Sequence, residues 1–84
     1  MKLIFCIECH DIVLLKSRTR ICECGLSWGL YVDDINASIG GKAVPIGFDN
    51  VSFIKAIKNR PKSGLGSRFE AFIIPESVPT IKIE

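Results

Sequence analysis

The stretch FCIECHDIVLLKSRTRICECG, residues 5–25, decides how this chain is read. It holds all four cysteines of the 84-residue sequence and its one histidine. The cysteines form two pairs, Cys6-x-x-Cys9 and Cys22-x-Cys24, with twelve residues between the pairs. That spacing points to a zinc ribbon. Each pair would sit on a tight knuckle turn, and four thiolates would meet one ion tetrahedrally at about 2.3 Å. The segment between the pairs reads as a β-hairpin: strand 12–16, polar turn at Ser17 and Arg18, return strand 19–22. Gly25 suits a knuckle, because it tolerates the positive φ that turns backbone N–H groups toward sulfur. The second pair has one intervening residue where the commoner ribbon has two.

Other uses of four cysteines fit less well. Disulfides need an oxidising compartment, and MKLIF offers too short an apolar run before Cys6 for an export signal. The expected location is therefore the cytoplasm. A thioredoxin-type Cys-x-x-Cys opens a helix, whereas CIEC precedes a strand-like run. Spacing alone leaves iron open beside zinc. The expected cofactor is one structural Zn²⁺ per chain, held by Cys6, Cys9, Cys22 and Cys24. A closed four-thiolate site has no open position for catalysis, so His10 is read as a bystander. At this length a core alone supplies only about 3–5 kcal/mol. A structural zinc site adds about 10–16 kcal/mol of apparent binding to folding.

The whole chain reads as a single small α+β domain over residues 1–84. The metal-binding ribbon spans 1–33 and an α+β cap spans 34–84. SWGLYVD alternates as a strand, with Trp28, Leu30 and Val32 on one face and Tyr31 and Asp33 on the other. IGGK reads as a hairpin turn or a loop, since Gly-Gly allows positive φ twice. AVPIGF reads as a strand that Pro45 pushes to an edge or a bulge. DNVSFIKAIKNRP predicts one short helix over about residues 50–60, capped by Asp49 or Asn50 and stopped by Pro61. Its apolar stripe is Val51, Phe53, Ile54 and Ile57, and the helix is expected to pack on antiparallel strands. FEAFIIP reads as a strand with Phe69, Ala71 and Ile73 on one face, and TIKIE as a short terminal strand.

Charge is unevenly placed. Residues 35–68 carry six cations against Asp49 alone, while both flanking segments lean acidic. The candidate binding segment is Lys55, Lys58, Arg60, Lys62, Ser63, Gly64, Gly66, Ser67 and Arg68. Flexible backbone N–H groups, two hydroxyls and an arginine suit an anion. The pattern is not a P-loop, which needs Gly-Lys-Ser/Thr at a helix start. The same residues also fit a solvated helix face and an ordinary connection. Trp28 and Tyr31 can stack on a base, although such aromatics more commonly serve a core. Asp33-Asp34 reads as a solvated strand end. With one histidine and no spare cysteine, no nucleophile–base set can be assembled, so an enzyme is not expected. The longest apolar runs are too short to span a membrane.

Cys-x2-Cys…Cys-x-Cys-Gly, followed by SWGLYVDDINASIGGKAVPIGFDN and FEAFIIPE, resembles small zinc-ribbon-like proteins encoded by bacteria and their phages. The resemblance implies a metal-clipped domain of phage or mobile-element origin, working in the host-cell cytoplasm, and no particular activity. The leading expectation is a non-enzymatic zinc-ribbon binding protein. Its basic segment 55–68 would engage an anionic partner: an acidic host protein, a small nucleotide or nucleic acid. One alternative is a nucleic-acid-binding ribbon using Lys16, Arg18 and Arg20 as well. Another is a homo-oligomer that sequesters nucleotides.

Overall fold

The computed structural model describes all 84 residues. In chain order the elements are β1 Lys2–Cys6, β2 Ile12–Leu14, β3 Arg20–Ile21, β4 Ser27–Tyr31, β5 Ala37–Gly41, β6 Ala43–Phe48, α1 Asn50–Lys58, β7 Ala71–Ile73 and β8 Ile81–Ile83. The strands form two four-stranded sheets, ordered β2-β1-β6-β7 and β3-β4-β5-β8. Every pairing is antiparallel except β5 with β8. One cluster of nine buried side chains draws on both sheets. Ile4, Cys6 and Val13 come from the first, and Ala37, Ile39 and Ile81 from the second. The small α+β class holds, with one purely antiparallel sheet and one mixed sheet. Strands from residues 1–33 and from 34–84 mix within both sheets.

The expected hairpin over residues 12–22 does not form. β2 pairs with β1, in register Ile4↔Val13, and β3 pairs with β4, in register Ile21↔Trp28. The reason is local. Each cysteine pair is itself the turn of a hairpin, closed by Cys6 N–H to the Asp11 carbonyl and by Cys22 N–H to the Ser27 carbonyl. Short loops close before long ones, so the knuckles capture β2 and β4, and the 15–19 segment merely crosses between sheets. Gly40-Gly41 is likewise no hairpin turn. It carries the chain from β5 in one sheet to β6 in the other.

Pro45 lies inside the first sheet rather than at an edge, opposite Ile4. Its carbonyl accepts from Ile74 N–H at 3.0 Å. The missing donor therefore faces the β7 side, just where that pairing ends, and the β1–β6 ladder loses nothing. The faces of two strands are also inverted. In β4 the buried positions are Ser27 and Gly29, while Trp28 and Leu30 are half-buried on the other face. A Cβ on Gly29 would meet the Leu15 side chain at 2.8 Å, so the core claims that space. The Trp28 ring lies across Gly40 opposite it, and the Phe72 ring across Gly47. After β7, Ile74 is the buried residue, and Phe69, Ala71 and Ile73 stay exposed.

The helix departs most from expectation. It forms close to the predicted bounds, but none of its residues is buried. Val51 is 78% exposed, Ile54 48% and Ile57 54%. Rather than packing on a sheet, residues 50–69 leave the sandwich as one excursion between β6 and β7. Its base is tied by Asp49 N–H to the Glu70 carbonyl at 2.9 Å, and by Glu70 N–H to the Ser52 hydroxyl at 2.9 Å. Phe48, Phe53 and Phe69 close it, with ring centroids 4.7 to 5.4 Å apart. The Asp49 side chain makes no capping hydrogen bond, and its carbonyl takes the Ser52 hydroxyl instead.

Candidate metal centre and basic cleft

The fold brings all four cysteines together. Their sulfurs lie within 4.8 Å of one another. Cys6 and Cys24 approach to 3.7 Å, and Cys22 and Cys24 to 3.5 Å. An ion bound at about 2.3 Å by four sulfurs sets them about 3.8 Å apart, so the spacing fits a tetrahedral tetrathiolate. It does not fit disulfides, whose sulfurs stand at about 2.0 Å, and all four cysteines are free. The arrangement can therefore hold a metal ion such as zinc.

The two knuckles are variants of one loop. Each spans six residues between its closing bond, Cys6 to Asp11 and Cys22 to Ser27. In each, the residue after the second cysteine takes positive φ: His10 at 61° and Gly25 at 82°. The shorter Cys-x-Cys spacing is thus no deletion. The second cysteine and its left-handed residue have both moved one place forward. His10 donates its backbone N–H to the Cys6 carbonyl at 2.8 Å, and its exposed ring stacks on Phe5. No atom of its ring joins the four-sulfur cluster.

A third segment, missed in the sequence, locks the knuckles to each other. Ile7 N–H donates to the Lys42 carbonyl at 3.2 Å, and Lys42 N–H donates to the Leu26 carbonyl at 2.9 Å. Gly41 makes this possible. Its φ is 72°, and a Cβ there would meet the Leu26 oxygen at 1.9 Å. The Gly-Gly pair was the available signal, but its partner lies fifteen residues back in another hairpin.

The sulfurs carry charge unequally. Cys6 is held down to about 6, chiefly by the Cys9 N–H and next by the Ser27 hydroxyl. That hydroxyl is fully buried and has no partner in ordinary hydrogen-bond geometry, yet it lies close enough to favour the Cys6 thiolate. Burial is the largest influence on Cys22 and opposes its ionisation, but the Ser27 N–H, 3.3 Å away, together with the Cys24 and Cys9 side chains outweighs it and the thiol is lowered. At Cys24 the Leu26 N–H favours the thiolate. Lost hydration and the neighbouring sulfurs oppose it, and the thiol is pushed up to about 12. Negative charge thus gathers among four crowded sulfurs, and a bound cation is the group that would satisfy all of them.

The other predicted residues sit at the far end of the excursion. A cleft of about 390 Å³ lies between the Phe53–Ala56–Ile57–Arg60 face of α1 and the loop that follows the helix. It gathers Arg60, Lys62, Ser63, Gly64, Gly66 and Ser67, over a floor of Phe53, Ala56, Ile57 and Phe69. Lys55 and Lys58 border a separate shallow groove with Val51 and Ile54. Arg68 lines neither. The only ion pair in the molecule is Lys82–Glu84, so none of the cations over 55–68 has a carboxylate partner. The aromatic floor was not foreseen, because Phe53 and Phe69 were read as a core stripe and a strand. Trp28 is half-buried over Gly40. The Tyr31 hydroxyl accepts from the Lys2 N–H at 3.1 Å, and Lys2 Nζ lies 5.4 Å above its ring. Asp33 caps a turn, bonding Ile35 and Asn36. No helix is long and apolar enough to cross a membrane.

No family model matches this chain, and no curated protein or solved structure matches it.

Proposed function

We propose that the chain is a non-enzymatic, zinc-clipped binding module whose basic segment engages an anionic partner. The observation that carries this reading is the cleft described above. Unpaired cations, two hydroxyls and two left-handed glycines converge there on one concave site. Charge-assisted hydrogen bonds from Arg60 and Lys62 supply attraction, and open backbone N–H groups supply geometry. Zinc is the proposed ion because a closed tetrathiolate suits a redox-inert structural metal. It holds the sandwich together, since two of the nine core members are themselves cysteines. The excursion can then project without contributing to the core. The test is binding of fluorescent anionic probes by metal-loaded protein at rising salt. Arg60→Glu with Lys62→Glu is expected to lower affinity at least ten-fold with the fold unchanged. Full binding by the double variant would refute the reading.

A homo-oligomeric form is proposed as well, on the molecule's shape. The radius of gyration is 14.1 Å, against about 12 Å for a compact chain of this length. The accessible surface is 6182 Å², against roughly 5,000 Å² for a typical folded monomer of this mass. The excess is comparable to one side of a standard interface, about 800 Å². Exposed apolar side chains lie on α1 and on the edge strand β7, where Phe72 and Ile73 are 55% and 66% exposed. Unpaired, apolar edge strands pair readily with a second copy. Sedimentation of a strict monomer at all concentrations would exclude it.

A further inference from the structure

We infer that the ligand of the cleft is a nucleoside phosphate, bound with its ring over Ile57 and Phe69 and its phosphate on the glycine loop. The inference rests on the anion-binding reading above and narrows it to a chemical class. Three observations carry it.

The cleft is amphipathic along its length. One end is an apolar floor at the last turn of α1, where Phe69 is 38% exposed and Ile57 54%. The other end is the loop bearing Lys62, Ser63 and Ser67. A simple inorganic anion or a carboxylate side chain would use only the polar end. A flat ring joined to a phosphate uses both. The volume of about 390 Å³ lies within the range of small-ligand sites, roughly 300–1,000 Å³.

The loop backbone is open. Gly64 and Gly66 take φ of 98° and 90°, and no atom lies within 4 Å of where a Cβ would stand at either. A phosphate can therefore approach the amides directly, which side chains at these positions would prevent.

The orientation follows from the helix. α1 is capped at Asn59, next to Arg60 in the cleft lining, and this C-terminus carries partial negative charge. Asn59 caps part of it, donating its backbone and side-chain N–H groups to the Lys55 carbonyl at 3.1 and 2.9 Å. A phosphate set against the helix end would meet residual repulsion, whereas an uncharged ring would not. The phosphate must then lie on the 62–67 side, where Arg60 and Lys62 can reach it.

The test is calorimetric titration of the metal-loaded chain with AMP, ATP, ribose 5-phosphate, inorganic phosphate, polyglutamate and a short single-stranded oligonucleotide. AMP is expected to bind roughly ten-fold tighter than ribose 5-phosphate, the value of one stacked base. Phe69→Leu is expected to remove most of that difference while leaving ribose 5-phosphate binding unchanged. Lys62→Glu should weaken both phosphates alike. Equal affinity for AMP and ribose 5-phosphate would overturn the ring placement. Binding of polyglutamate or the oligonucleotide without AMP would overturn the nucleotide inference and leave the anion-binding module standing. Binding of no anion at all would overturn both.

Discussion

Replacing Gly41 with alanine tests how the metal knuckles are held. The residue sits at φ 72°, and the new Cβ would lie 1.9 Å from the Leu26 carbonyl oxygen. Left-handed backbone costs a non-glycine residue about 1–2 kcal/mol. The clash falls on backbone, so Leu26 or Gly41 must move, and the Lys42 N–H to Leu26 bond lengthens or breaks at a cost of about 1 kcal/mol. The total is about 2–3 kcal/mol, a large share of the roughly 4–13 kcal/mol available to a chain of this length. Gly25→Ala is the control. It shares the positive φ, at 82°, but has nothing within 4 Å of the new methyl group, so it should lose only about 1–2 kcal/mol. Urea denaturation of both variants, with chelator competition for the metal, separates the two. Gly41→Ala is expected to lose more stability than Gly25→Ala and to release metal more readily, because Leu26 lies two residues from Cys24 and donates to its sulfur. Equal midpoints and equal metal retention would refute the clamp.

Other outcomes follow from the same geometry. Cys24→Ser should abolish stable metal binding and leave the chain largely unfolded; a folded, metal-free variant by circular dichroism would contradict a structural role. His10→Gly should keep full metal content and change stability by about 1 kcal/mol or less, since φ of 61° suits glycine and only the Phe5 stack is lost; loss of the metal would make the imidazole a ligand. Asp33 is held down from 3.8 to about 2, first by the Asn36 side chain and then by the Asn36 and Ile35 N–H groups. Because the folded value is the lower one, its contribution is present above about pH 4 and disappears as the pH falls toward 2. Acid titration of Asp33→Asn should accordingly show a shallower loss over that window than the parent chain, and an unchanged acid limb would count against the turn.

The ligand set was legible in residues 5–25 because thiolate spacing is set by knuckle geometry, which is local. The path between the knuckles was not. Residues 12–16 alternate as a strand whichever neighbour they pair with, and the choice of β1 depends on loop closure that spacing does not encode. The inward face of β4 was misread for a related reason. Trp28 and Leu30 look like core residues, but the core there is filled from Leu15 and Ile39, so only Ser27 and Gly29 fit. The helix shows the opposite failure. Its capping and stop signals place it correctly, while its stripe of Val51, Ile54 and Ile57 faces solvent because residues 50–69 leave the sandwich. An apolar stripe announces that something covers a helix, and within this chain Phe48 and Phe69 cover its Phe53.

The central claim is that four cysteines from two knuckles hold one metal ion and thereby hold the fold. Native mass spectrometry with sulfur-sensitive X-ray absorption on the purified protein tests it most directly. The account predicts one zinc per chain, ringed by four sulfurs at about 2.3 Å. A folded chain with no metal and its cysteines in disulfides, or a site with fewer than four sulfurs, would contradict it.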